Sequence, residues 1–282
     1  MLDLLLDFSR QLRRRWIYGL MSVLVATSLV VTTPRPSQAM SLIELLLRGV
    51  QIIQLSTLSD RQEVALGGQI NSQLTSQELS LYSDRVINSY INEIGQRLVP
   101  HSDRPNIPYT FQVVESSDLN AFATMGGYVY VTTGLIKAAD NEAQLASVIS
   151  HEIGHIAARH ALEQMREQAV AQGVASATGL DRNTAVNIGV ELALRRPNSR
   201  RAEFEADQHG LITLTRAGYA PGAMPAFMEK LRNRNAIPEF LSTHPAVPER
   251  IRVLNEAIDP AAANTGAGLD NAAYRSRINS LL

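Results

Sequence analysis

His151 and His155 stand four residues apart inside NEAQLASVISHEIGHIAARHALEQMREQAV, which starts at Asn141. Within that stretch Leu145, Val148, Ile149, Ile153, Ile156 and Ala157 recur at helical spacing, so a long helix is expected from Asn141 onward. Four residues is about one helical turn. Both imidazoles therefore leave one face and can share a cation. Glu152 lies on the flank of that face, where it can reach a water beside the ion without being a ligand. Metal-assisted hydrolysis needs this arrangement.

A catalytic centre of this kind takes three protein ligands. The chain has no cysteine, so the third must be His, Asp or Glu. The best candidate lies in SRRAEFEADQHG, at the start of a helix expected from Ala202 to Gly218. Glu203 and Asp207 are one turn apart there. Glu203 can ligate directly, and Asp207 can accept from the free ring nitrogen of a ligating histidine. Glu205 is a rival ligand, but it sits about 200° around the helix from Glu203. Alone, the stretch would read as a solvated acidic face paired with Arg200 and Arg201.

The rest of the chain is mostly helical with one clear β region, an α+β pattern. Ser59 with Gln62, or Asp60 with Glu63, forms a capping-box signature that starts a helix. Val86, Ile87, Tyr90, Ile91, Ile94 and Leu98 mark an apolar helix face that stops at Pro100. Tyr109–Ser116, rich in β-formers, precedes Asn120–Thr124, Gly126-Gly127 and Tyr128–Thr133, which read as a β-hairpin beside the HExxH helix. A peptide can be held as an added strand on a sheet edge. Asn120, Ala121, Phe122 and Ala123 are the expected substrate-binding edge. Helices are also expected over 222–234 and within 243–258. Gln172–Arg196 is rich in small residues and reads as a helical hairpin or a flap. The Ala/Gly/Asn-rich tail after Asp259 reads as loosely held.

His244, before Pro245, can stabilise a developing oxyanion, occupy the open metal position, or simply shape a turn. His160 extrapolates to about 100–180° off the ligand face and reads as structural, as do His101 and His209.

Arg13, Arg14 and Arg15 are followed by a 16-residue uncharged run, Trp16 to Val31, and then by TTPRPSQAMS. Ser37 and Ala39 are small residues before Met40. The order is that of a secretory signal, with an uncleaved anchor as the alternative; crossing a bilayer takes about 20 apolar residues. Either one puts the chain outside the cytoplasm, in a periplasm or an equivalent lumen. Ser41–Leu55 reads as an apolar helix that packs or that meets a membrane or an assembly machinery. A net charge of −1 and 5% aromatic residues speak against nucleic acid as a partner.

NAFATMGGYVYVTTGLI, HEIGHIAARH, SRRAEFEADQHG and THPAVPERI, in this order from Asp84 to Ile258, resemble the blocks of one zinc metallopeptidase family. It is the family of the HtpX, CAAX prenyl, Oma-type and β-barrel assembly-enhancing proteases, and the resemblance is greatest to the soluble exported members. The resemblance implies a gluzincin-type fold and one zinc ion on His151, His155 and Glu203, with Glu152 as general base. The expected layout is a signal or anchor over 1–39, N-terminal helices over 40–83, the metallopeptidase domain over 84–258 and a tail over 259–282. The expected function is extracytoplasmic hydrolysis of unfolded or misassembled proteins in quality control. A chaperone-like, client-binding protein with latent protease activity is the alternative.

Overall fold

The computed structural model describes residues 52–172, 180–195, 198–233 and 238–282. The signal or anchor expected over 1–39 lies outside these residues, as does most of Ser41–Leu55. Its described part opens as a strand rather than an α-helix: Ile52–Ile53 forms strand β1, antiparallel to β5 (Leu180–Asp181), before a 3-10 turn at Leu55–Thr57. Two adjacent β-branched residues suit a strand. No helix among the described residues is long and apolar enough to cross a membrane.

Helix α1 (Asp60–Gln73) starts at the expected capping box, in which Ser59 and Gln62 satisfy each other's backbone N–H groups. Helix α2 (Arg85–Leu98) starts at Asp84, whose carboxylate accepts from Val86 N and Ile87 N. Its buried face is the predicted one, Ile87, Tyr90, Ile91, Ile94 and Leu98, while Val86 is exposed.

The sheet has three strands in the order β2 (Thr110–Val114), β4 (Tyr128–Thr132), β3 (Ala121–Thr124). β2 runs parallel to β4, and β3 antiparallel to it. The β3–β4 turn uses Gly126 at φ +80° and Gly127 at φ +94°; a Cβ on Gly127 would also lie 1.9 Å from Pro108 O. β3 is left on the edge. The short helix α3 (Thr133–Ala138) follows β4.

Helix α4 (Glu142–Ala157) is buried on nearly all sides, capped by Asn141 and covered by α2, the sheet and two later helices, α7 (Arg200–Arg216) and α8 (Ala223–Arg232). Its closest partner is α7. A Cβ on Gly154 would lie 2.5 Å from Ala206 O, and one on Gly210 3.0 Å from His151 N. These two glycines let the backbones close until side chains of α4 and α7 meet end to end.

The long helix expected from Asn141 is two helices. α4 ends at Ala157, Arg159 takes the left-handed conformation (φ 60°), and α5 (His160–Ala171) starts after it. α6 (Arg182–Arg195) lies within the expected small-residue segment, and the short α9 (Glu239–Thr243) leads to α10 (Val247–Ala257). The tail is not loosely held. Tyr219 pairs with Ala267, Gly268 O accepts from Ala143 N, and α11 (Asn271–Arg277) buries Tyr274, whose hydroxyl donates to Ile136 O at 2.6 Å.

Candidate metal centre

Four buried side chains converge where α4, α7 and the α9–α10 turn meet: His151, His155, Glu203 and His244 could together hold one metal ion. His151 Nε2 and His155 Nε2 are 3.1 Å apart. Glu203 Oε1 lies 3.3 Å from His155 Nε2, and Glu203 Oε2 3.5 Å from His151 Nε2. His244 Nδ1 lies 3.2 Å from His151 Nε2 and 3.1 Å from Glu203 Oε1. A tetrahedron with 2.0–2.1 Å metal bonds has edges of about 3.3 Å. The donor set fits a tetrahedral cation on spacing, and imidazole nitrogens and a carboxylate are donors such a cation takes. The predicted donors His151, His155 and Glu203 are therefore brought together, with His244 at the fourth corner.

Glu152 is also buried, and its Oε1 has no hydrogen-bond partner; His244 Nε2 stands 3.6 Å away. An unpaired buried carboxylate oxygen is costly unless something arrives to use it. Burial pushes the Glu152 carboxyl above its ordinary range, the direction that suits proton exchange near neutral pH.

Asp207 accepts from His151 Nδ1 at 2.9 Å, as expected. Arg250, fully buried on α10, was not foreseen: Nε and Nη2 grip Asp207 at 2.6 and 2.7 Å, while Nη1 reaches Glu203 Oε2 at 2.5 Å. One arginine thus neutralises two buried acids and leaves Glu203 Oε1 facing the donors. Burial alone would raise both carboxyls. His244 and the two helix histidines hold Glu203 well below the usual range, and Arg250 holds Asp207 down. Burial pushes His151 down too, but Asp207 and Glu203 outweigh it and bring it up to about 9. For His155 burial wins over Glu203, with His151 adding to it, and the ring falls to about 3.

His160 is buried and lies against His155, with Glu205 on its far side. The placement of His160 away from the ligand face, taken from helix phase, fails because the phase is reset at Arg159. Glu205 does not join the donor set. His209 pairs with Asp103 at 2.5 Å, away from the donors. Asn198 holds its carboxamide nitrogen 3.5 Å from both His155 Nε2 and His244 Nδ1, with its oxygen fixed by Gln164 Nε2 at 2.6 Å.

A solvent-open cleft runs from Glu152, His155 and His244 between β3 and α6. Asn120, Phe122 and Ala123 line it beside Met165 and Leu192. Ala121 O accepts from His244 Nε2 at 3.4 Å, which puts the predicted edge strand against the centre.

A buried HExxH pair with a carboxylate from a later helix packed against it defines a metallopeptidase centre. The chain belongs to peptidase family M48, whose family model matches residues 86–258. Among curated relatives, the β-barrel assembly-enhancing protease of Escherichia coli (strain K12) is 35% identical over 220 residues, covering 70% of this chain and 44% of that protein. The mitochondrial metalloendopeptidase OMA1 of Arabidopsis thaliana is 33% identical over 202 residues, covering 69% and 41%. The corresponding protein of Schizosaccharomyces pombe is 28% identical over 196 residues, covering 65% and 58%. The chain spans less than half the length of the first two.

Proposed function

We propose that this protein is a zinc-dependent endopeptidase that cuts unfolded or misassembled proteins outside the cytoplasm. The observation that carries the reading is the unpaired Glu152 oxygen beside a donor set at tetrahedral spacing. His151, His155 and Glu203 would hold the ion. A zinc ion bound there acidifies water and polarises a peptide carbonyl. Glu152 takes the proton from the attacking water and returns it to the leaving amine. Asp207 and Arg250 keep His151 and Glu203 aimed. Asn120 to Ala123 receive the peptide as an added strand along β3, where backbone hydrogen bonds give sequence-tolerant affinity. Such tolerance suits clients defined by exposed backbone, in keeping with relatives named for β-barrel assembly. The extracytoplasmic setting rests on the arginines, apolar run and small residues of 13–39.

The test is metal content and casein cleavage, wild type beside Glu152→Gln. The variant should keep one zinc per chain and lose cleavage by about 10²–10⁴-fold. Cleavage at the wild-type rate would remove Glu152 from the mechanism.

A second reading, regulated latency, is favoured by His244 alone. Its Nδ1 stands at the corner that water and substrate need. In that state cleavage waits until the α9–α10 turn moves.

A further inference from the structure

His160 is a buried histidine, only 2% exposed, that the mechanism above does not use. It is the first residue of α5, and the left-handed turn at Arg159 swings its ring back beneath His155. His160 Nδ1 lies 2.9 Å from His155 Nδ1, and His160 Nε2 lies 3.4 Å from Glu205 Oε2. We propose that His160, steadied by Glu205, is a positioning residue that fixes the ring and tautomer with which His155 presents Nε2 to the metal. The proposal rests on the reading of His155 as a ligand.

Two ring nitrogens 2.9 Å apart share one proton, and only one direction is consistent with the surroundings. With the proton on His155 Nδ1, that N–H donates to His160 Nδ1. The His160 proton is then on Nε2, facing Glu205, which as a carboxylate only accepts. His155 Nε2 is left with a free lone pair among the donors. In the reverse direction the His155 proton would sit on Nε2, 3.1 Å from His151 Nε2, and block the cation. His160 Nε2 would then turn a lone pair toward the Glu205 carboxylate. Each link of the forward chain fixes the next.

The two ligating histidines are thereby held by different means. Behind His151 stands Asp207, neutralised by Arg250. Behind His155 stands a neutral imidazole, and behind that Glu205. All three acids of Glu203, Glu205 and Asp207 then serve the centre, one facing the donors and two from behind. Contacts between α5 and α7 keep the relay in register: Glu163 pairs with Arg201, and Gln164 with Asn198 just before α7.

The experiment compares full-length wild type, His160→Leu, His160→Asn and Glu205→Ala. Each is stripped of metal, titrated with Zn²⁺ against a chromophoric chelator, and loaded with Co²⁺ for its visible spectrum. Leucine fills the ring's space and accepts no hydrogen bond, whereas asparagine Oδ1 stands close to where Nδ1 stood. His160→Leu should weaken zinc binding by about 10–100-fold and shift the Co²⁺ bands. His160→Asn should stay within a few-fold of wild type, and Glu205→Ala should show a smaller loss than His160→Leu. Wild-type affinity in His160→Leu overturns the proposal, as does an equal loss in the leucine and asparagine variants. If the leucine variant does not fold, wild-type-like binding by the asparagine variant together with weakened binding by Glu205→Ala upholds it, and any other pattern overturns it. A wild type that binds no zinc would instead sink the ligand reading beneath it.

Discussion

Arg250 holds Asp207 through two nearly parallel hydrogen bonds, Nε to Oδ2 at 2.6 Å and Nη2 to Oδ1 at 2.7 Å, with both side chains buried. The third nitrogen is taken by Glu203 and by His244 O. Removing this cation strands two buried carboxylates. Arg250→Met should cost about 3–5 kcal/mol in denaturant unfolding of the metal-free protein. Arg250→Lys should recover little of it, because an ammonium cannot make the fork. Wild-type stability of the lysine variant would show that the paired geometry is not what matters.

Gly154 sets the distance between the two ligand helices, its missing Cβ leaving room for Ala206 O. Gly154→Ala should destabilise by about 1–3 kcal/mol through overpacking and weaken zinc binding as Glu203 moves away from His155. Gly68, inside α1, is the control: a Cβ there meets Tyr128 Oη at an ordinary 3.5 Å, and Gly68→Ala should be neutral or stabilising by up to about 1 kcal/mol. Unfolding curves and chelator competition on both variants decide it.

Metal uptake near neutral pH should release one proton from the ligand pair. His151, brought up to about 9, is protonated in the metal-free protein, while His155, at about 3, is already neutral. Zinc must displace the His151 proton, so zinc affinity should climb with pH until about 9. The sign for stability is the opposite. A histidine whose pKa is raised on folding stabilises the metal-free fold below its unfolded value of about 6.5. That contribution is lost as pH rises through about 9. Calorimetry in two buffers of different ionisation enthalpy reads the proton count; no proton released would contradict the assignment.

The shared face of His151 and His155, with Glu152 on its flank, and the one-turn spacing of Glu203 and Asp207 were legible because each depends on helical phase within a single helix, and the capping box at Ser59 on a four-residue pattern. The contact of His160 with His155 was not legible because phase carries no information across a left-handed turn at a non-glycine residue. Arg250 was invisible for a related reason: Ala246, also left-handed at φ 65°, aims α10 back at the centre. The tail misled through composition. Its glycines read as looseness, yet a Cβ on Gly266 would lie 2.7 Å from Ala220 N and one on Gly268 2.8 Å from Ala143 N. They are there for close packing, and Tyr274, Ile278 and Leu281 behind them are buried.

His244 offers two outcomes that one substitution separates. Its ring stacks on Phe240 with centroids 4.3 Å apart, its Nδ1 stands at the fourth corner of the donor set, and its Nε2 reaches Ala121 O. A side chain in this pose fills the metal's fourth position and also ties up the edge strand where a peptide would lie. His244→Ala frees both, so casein cleavage by the purified protein should rise several-fold while His151, His155 and Glu203 still retain zinc. Phe240→Ala, which removes only the stacking support, should raise it less. If His244 acted chiefly as an oxyanion donor after swinging out, His244→Ala would instead lower kcat by about 10²–10³-fold with little change in KM. A rise assigns His244 to the latch, and a fall confined to kcat assigns it to the chemistry.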